Sequence, residues 1–153
     1  MPTHDDRHDF NLERYKYILA QIQMLNENVY KYITLFQTLA TAVLGGMVWV
    51  FANWKSLGMN PDAARLAIQA LTGLFMLLAL FVVILILSGL FSWFDYRKEE
   101  VELLNNAAGK DFRRPPSLKN FWRWRETYIV LFIIVIVIVV TNYIQTQVLL
   151  LIV

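Results

Sequence analysis

The sequence predicts an all-α integral membrane protein with three transmembrane helices, and three observations carry that reading. Apolar residues make up 58% of the 153 and charged residues only 17%, far from the balance of a soluble domain. The charges are also segregated: none falls in Tyr32–Trp54 (23 residues), Leu66–Phe94 (29) or Thr127–Val153 (27). A helix needs roughly 20 apolar residues to cross a ~30 Å hydrocarbon core, and each run supplies them. Segments such as Leu77–Leu87 and Ile129–Val140 have no polar face to turn toward water, which argues against a soluble three-helix bundle.

The third observation is where the cations sit. Eight of the fourteen Lys and Arg residues lie between Arg97 and Arg125, against four before the first span, two in the first connection and none after the third span. Basic residues near span ends are retained in the cytoplasm. The expected location is therefore the cell (inner) membrane, multi-pass, with the N-terminus cytoplasmic and the C-terminus outside. Aromatic residues agree, with Trp49 and Trp54 at one end of the first span and Trp93, Phe94, Trp122 and Trp124 about the basic connection. The first apolar run begins after thirty polar-rich residues with no small-residue cleavage site, so no removable signal peptide is expected.

In chain order, residues 1–10 are expected to be a flexible tail, and 11–153 a single helical membrane domain. From Asn11 an apolar stripe appears at alternating spacings of three and four: Tyr15, Ile18, Ile22, Leu25, Val29, Tyr32, Phe36, Leu39 and Val43. That is the pattern of a helix packing on a neighbour. The expectation is one helix from about 11 to 53, with 11–30 cytoplasmic and continuous with a span at 31–54. Asn60-Pro61-Asp62 supplies an N-cap, a proline at the first helical position and an acid in the first turn. A second helix then runs from Pro61 to a glycine C-cap at Gly109. It contains the span 65–94 and a cytoplasmic extension in which Val101, Leu104 and Ala108 face the Ile18–Leu25 stripe. Pro115-Pro116 breaks the chain, Ser117 caps a third helix, and a span at 126–148 completes the set. The cytoplasmic connection is 95–125.

Several features within and beside the spans have functional meaning. Thr34, Gln37, Thr38 and Thr41 sit at i, i+3, i+4 and i+7 in the first span, a polar stripe that must face protein or water at membrane depth. It either packs helices together or lines a water-filled pore. Asn142 and Gln145 form a second polar face late in the third span; either the helix tilts and the amides bond within a bundle, which is the expectation, or the tail lies back on the outer leaflet. Gly45, Gly46, Gly73 and Gly89 are candidates for close helix packing. Arg113, Arg114, Arg123 and Arg125 are candidates for contact with lipid headgroups, although Glu99, Glu100, Glu102 and Asp111 are mixed among them.

Other classes are disfavoured. The chain has no cysteine, its two histidines (His4 and His8) lie in the tail, and no Asp, Glu, Lys, Arg or His falls in the interior of a span. No catalytic residue, metal site or cofactor is therefore expected, and the absence of intramembrane charge argues against a coupled pump. A net charge of +2 is too small to imply nucleic-acid binding. The expected partners are the lipid bilayer, further copies of the chain in a homo-oligomer, and a soluble or membrane protein docked through the cytoplasmic helix.

In organisation, residues 11–108 resemble the small membrane effectors of bacterial conflict and anti-phage systems, including the SLATT-type proteins. Those have a cytoplasmic helix running into a transmembrane hairpin and then a further cytoplasmic helix. The resemblance implies a pore-forming role, while the third span lies outside that two-span plan. The span count is similar to that of three-span phage holins, whose common type has the opposite orientation. The expected function is a homo-oligomer that forms or gates a pore or perturbs the membrane. The alternative is a non-catalytic structural or accessory subunit of a larger membrane complex.

Overall fold

The computed structural model describes residues 4–109 and 112–152, with side chains from Asp9 onward except Ala108, Leu118, Asn120 and Arg123. Three long helices dominate: α1 (His4–Asn53), α2 (Pro61–Ala108) and α3 (Arg125–Tyr143). A short 3-10 helix at Leu118–Arg123 precedes α3, and a π-turn (Ile144–Val148) with a final 3-10 turn (Leu149–Leu151) follows it. Among the described residues there is no strand, and all three long helices are apolar enough and long enough to cross a membrane.

Helix α1 begins seven residues before the expected Asn11. No proline or glycine separates His4 from Asn11, so nothing in the chain stops the helix extending back; only residues 1–3 of the expected tail lie outside the described residues. At its far end the helix closes in a tight turn. Leu57 N–H donates to Asn53 O (3.0 Å) and Met59 N–H to Trp54 O (3.0 Å), with Gly58 at φ 68°, a backbone setting that glycine adopts without strain.

Helix α2 has the expected bounds at both ends. The Asn60 side chain accepts from Ala63 N–H (2.7 Å), Pro61 takes the first position and Asp62 the first turn. Gly109 ends the helix at φ 107°, ψ 156°, its N–H donating to Asn105 O at 3.2 Å. That is a glycine-only region, though not the left-handed helical one the cap signal predicts.

The core is a seam along α2. Ile68, Phe75, Val82 and Ile86 are fully enclosed, met by Phe36, Val43 and Met47 of α1 and Ile133 of α3. Phe36 and Phe75 stack at 6.2 Å between centroids. The stripe on α1 is the buried one: Ile18, Ile22, Val29, Phe36 and Val43 are buried and Tyr15, Leu25, Tyr32 and Leu39 half-buried. Beyond the apolar runs, the first part of α1 and the last part of α2 continue as a two-helix stalk. Ile18 and Val101 are buried there, Arg14 Nε donates to Glu99 Oε1 at 2.9 Å, and Tyr96 hydrogen-bonds Tyr17. That bond raises the Tyr96 pKa above its usual value, since losing the proton would break it.

Helix α3 starts later than expected. Ser117 does act as a cap, accepting from Lys119 N–H at 3.3 Å, but of the 3-10 helix, not of α3. Trp124 is extended (φ −87°, ψ 132°) and breaks the two apart. The break lets its indole pack on Phe121 (5.9 Å), Trp93 (6.0 Å) and Phe94 (6.3 Å), and Thr127 Oγ1 donates to Phe121 O at 2.8 Å across it. Within α3 the buried residues are Thr127 and Ile133, so this helix is held lightly.

The stalk is expected to depend on the seam and not on its surface ion pair. Ile18→Ala should cost ~2–5 kcal/mol through a cavity, whereas Arg14→Ala, with half its side chain in solvent, should cost no more than ~1 kcal/mol. Thermal unfolding in detergent followed by circular dichroism measures both. Equal losses would show that the ion pair carries the stalk.

Candidate functional site

The polar stripe of α1 faces outward. Thr34, Gln37, Thr38 and Thr41 are all exposed, while the buried residues of the same turns (Phe36, Ala40, Val43) point to α2. At 100° per residue the threonines project almost opposite that seam. Two of them satisfy themselves: Thr34 Oγ1 donates to Tyr30 O and Thr38 Oγ1 to Thr34 O, each at 3.0 Å. Gln37 has no such escape. Among the described residues its amide makes no hydrogen bond, and it borders a cleft of about 510 Å³ between α1 and α3.

The second polar face is not brought to the first. Gln37 shares its cleft with Phe132 and Ile133, whereas Val48 and Phe51 share another with Tyr143 and Ile144. Asn142 and Gln145 therefore lie ~16 Å farther along the bundle, from eleven residues at 1.5 Å each. Both amides are exposed, so within one chain they do not bond inside the bundle as expected. The reason is the π-turn. Leu149 N–H donates to Ile144 O, an i→i+5 bond that places Ile144 and Leu149 on one face, both buried with Ile152 in the core. Asn142, Gln145 and Thr146 are left on the other side, with Thr146 Oγ1 donating to Asn142 O at 2.8 Å. Ile152 is fixed further by Arg65, whose Nη2 donates to its carbonyl at 2.7 Å.

The four glycines make no close approach within the chain. A Cβ at Gly45, Gly73 or Gly89 would meet nothing within 4 Å, and one at Gly46 would meet Leu71 Cδ1 at an ordinary 3.9 Å. Gly45 continues the outward face of Thr34, Thr38 and Thr41.

The basic connection is built around a buried acid. Glu100 is fully enclosed and takes Arg97 on one oxygen and Arg113 Nη1 on the other at 2.7 Å. Asn105 clamps the same loop, accepting from Arg113 N–H (3.1 Å) and donating to Arg113 O (3.3 Å). Arg113, a candidate for headgroup contact, gives one guanidinium nitrogen to this carboxylate, which has no water and needs cations, while its side chain stays 39% exposed. Arg114 remains exposed. The side chain of Arg123 lies outside the described residues, as do Lys110 and Asp111.

Arg125 takes a third place, at the collar where stalk, spans and connection meet. It donates to the Tyr30 hydroxyl, lies over the Tyr30 ring at 4.7 Å, and pairs with Glu126 at 3.1 Å. Beside it, Trp93, Trp124, Asn26 and Gly89 border a cleft of about 240 Å³. Sequence spacing could not have found this group, since Tyr30 and Arg125 are 95 residues apart; Glu126 offered one signal, as the last charge before a 27-residue uncharged run.

These features define the class: a membrane-embedded, multi-pass helical protein with a two-helix stalk. No family model, curated protein or solved structure matches the chain.

Two outcomes are expected. Replacing Arg97 and Arg113 together by Ala strands the Glu100 carboxylate and should cost ~3–5 kcal/mol. Glu100→Gln, which keeps shape and one acceptor, should cost ~1–3 kcal/mol; a reversed order of melting temperatures would contradict the buried-acid account. Gly73→Ala should leave stability unchanged or raise it by up to ~1 kcal/mol through helix propensity, and a loss would reveal a close contact made there.

Proposed function

We propose that this chain is the subunit of a homo-oligomeric membrane protein that forms or gates a pore, acting as a toxic or defence effector. The observation that carries the reading is the unpartnered Gln37 amide on an outward-facing hydroxyl stripe. Leaving such a group in hydrocarbon costs ~2–7 kcal/mol, so water or another subunit must cover it. Thr34, Thr38, Thr41 and Gly45 extend the same face through three turns, which suits a row of α1 helices around an axis.

The stalk supports assembly. Phe10, Tyr17 and Met24 are exposed at seven-residue spacing on one flank of the buried seam, and Leu12 and Leu19 on the other. Apolar flanks on both sides of one helix suit neighbours on both sides, the head-to-tail contact of a ring. In this reading the charge bias puts the stalk and the 95–125 connection in the cytoplasm, with the inner membrane around the spans. The role is non-catalytic and needs no cofactor.

Flux of a small dye or ion from liposomes holding the purified protein tests it. Wild type is expected to leak, Gln37→Leu to leak several-fold less, and Gly45→Leu to break the oligomer on size-exclusion chromatography. A tight wild type in an oligomeric state would sink the proposal. The accessory-subunit reading has a specific basis too. Ile18, Ile22 and Leu25 turn toward α2 of the same chain, but Phe10, Tyr17 and Met24 remain exposed over about half of their surface. Co-purification from native membranes with a second protein in fixed ratio would favour it.

A further inference from the structure

The cleft at the collar and the α1/α3 groove share a residue, and the chemistry changes across it. On the stalk side of Arg125 the walls carry Asn26, Trp93, Trp124 and Glu126 among the aliphatic Leu25, Val29 and Leu90. On the other side they are mostly apolar, with Ile33, Phe36, Ile129, Phe132 and Ile136 beside Gln37. The change falls where the uncharged run of each helix gives way to charge, at Lys31, Asp95 and Glu126, which is headgroup depth.

The groove has the depth of one leaflet. From Arg125 to Ile136 is eleven residues, or ~16 Å of helix, against ~15 Å for half of a ~30 Å hydrocarbon core. Its mouth carries both signs of charge. Arg125 uses two of its N–H donors, on Tyr30 and Glu126, and by the inventory of a guanidinium has three more. Glu126 keeps one carboxylate oxygen without a partner among the described residues, at 17% side-chain exposure. An occupant must therefore bring an anion and a cation close together at headgroup depth and an apolar tail below them.

We propose that this site binds an aminophospholipid of the phosphatidylethanolamine type. Its phosphate sits on Arg125, its ammonium on Glu126 beside the indoles of Trp93 and Trp124, and one acyl chain lies in the α1/α3 groove. The primary ammonium donates to the free carboxylate oxygen, and the guanidinium holds the phosphate by charge-assisted hydrogen bonds. The proposal is independent of pore formation, because lipid retention is read without any flux.

Native mass spectrometry of the full chain in detergent, with phosphatidylethanolamine and phosphatidylglycerol added in equal amounts, tests it. Wild type is expected to retain phosphatidylethanolamine about ten-fold better, the ratio one charge-assisted bond supplies. Arg125→Gln should lower retention of both lipids about ten-fold. Glu126→Gln should bring the two within about two-fold while leaving phosphatidylglycerol unchanged, and it carries the test alone if Arg125→Gln fails to fold. Equal retention by wild type, or a preference that survives Glu126→Gln, would overturn the proposal. So would a disulfide between co-expressed Gln37→Cys and Phe132→Cys chains, since the chain has no cysteine of its own and such a link would put a second copy in the groove.

Discussion

The apolar seam of α2 is what the rest of the molecule depends on. One unbroken helix from Pro61 to Ala108 is ~70 Å long at 1.5 Å per residue, more than twice a hydrocarbon core. It therefore serves as the middle member of the membrane bundle and as one leg of the stalk. Ile68, Phe75, Val82 and Ile86 hold the bundle and Val101 holds the stalk, all on the face that meets α1 or α3. Because α1 is equally continuous, the two regions are mechanically one body. A rotation of the stalk pair about its seam would be carried into the membrane, since no glycine or proline hinge interrupts α1 between His4 and Val43.

The collar is where that body is tied to the third helix. Tyr30 belongs to α1, Trp93 and Phe94 to α2, and Trp124, Arg125 and Glu126 to the start of α3. Their contacts are aromatic edges and charge-assisted bonds, which tolerate a wet boundary better than the apolar seam would. The extended Trp124 is the cost of this arrangement: a continuous helix from Ser117 would carry the indole away from Trp93 and Phe121. Below the collar α3 buries little beyond Ile133 before the π-turn. Its far end is secured by Ile144, Leu149, Ile152 and the Arg65 bond.

What the sequence disclosed follows the range of the interaction. The bounds of α2, the buried stripe on α1 and the continuity of stalk and span are all local or periodic, and Asn60-Pro61, Gly109 and the three-and-four spacing announced them. The break at Trp124 was hidden because its cause is tertiary: an indole seeking Trp93 and Phe121. The π-turn was hidden because Ile144 and Leu149 are five apart, a spacing that ordinary helical periodicity reads as two different faces. Glu100 was visible only as an acid that weakened the case for lipid contact by its basic neighbours. The structure supplies the mechanism, since that acid takes Arg97 and Arg113 and leaves Arg114 exposed.

The polar residues at membrane depth sort by whether they can satisfy themselves. Thr34, Thr38 and Thr146 return their hydroxyls to the carbonyl one turn back, so lipid can lie against them at little cost. An amide has two donors and an acceptor on a longer stem, and neither Gln37 nor Asn142 nor Gln145 finds a partner among the described residues. The threonines alone would therefore be weak grounds for an assembly, and in the proposed assembly it is the glutamine among them that gains a partner. Gln37 lies at the edge of the stripe nearest the α1/α3 groove, where its reach includes both the outward face and the groove. A neighbouring α1 or a column of water would satisfy it from the outward side, leaving the groove wall of Ile33, Phe36 and Ile129 dry.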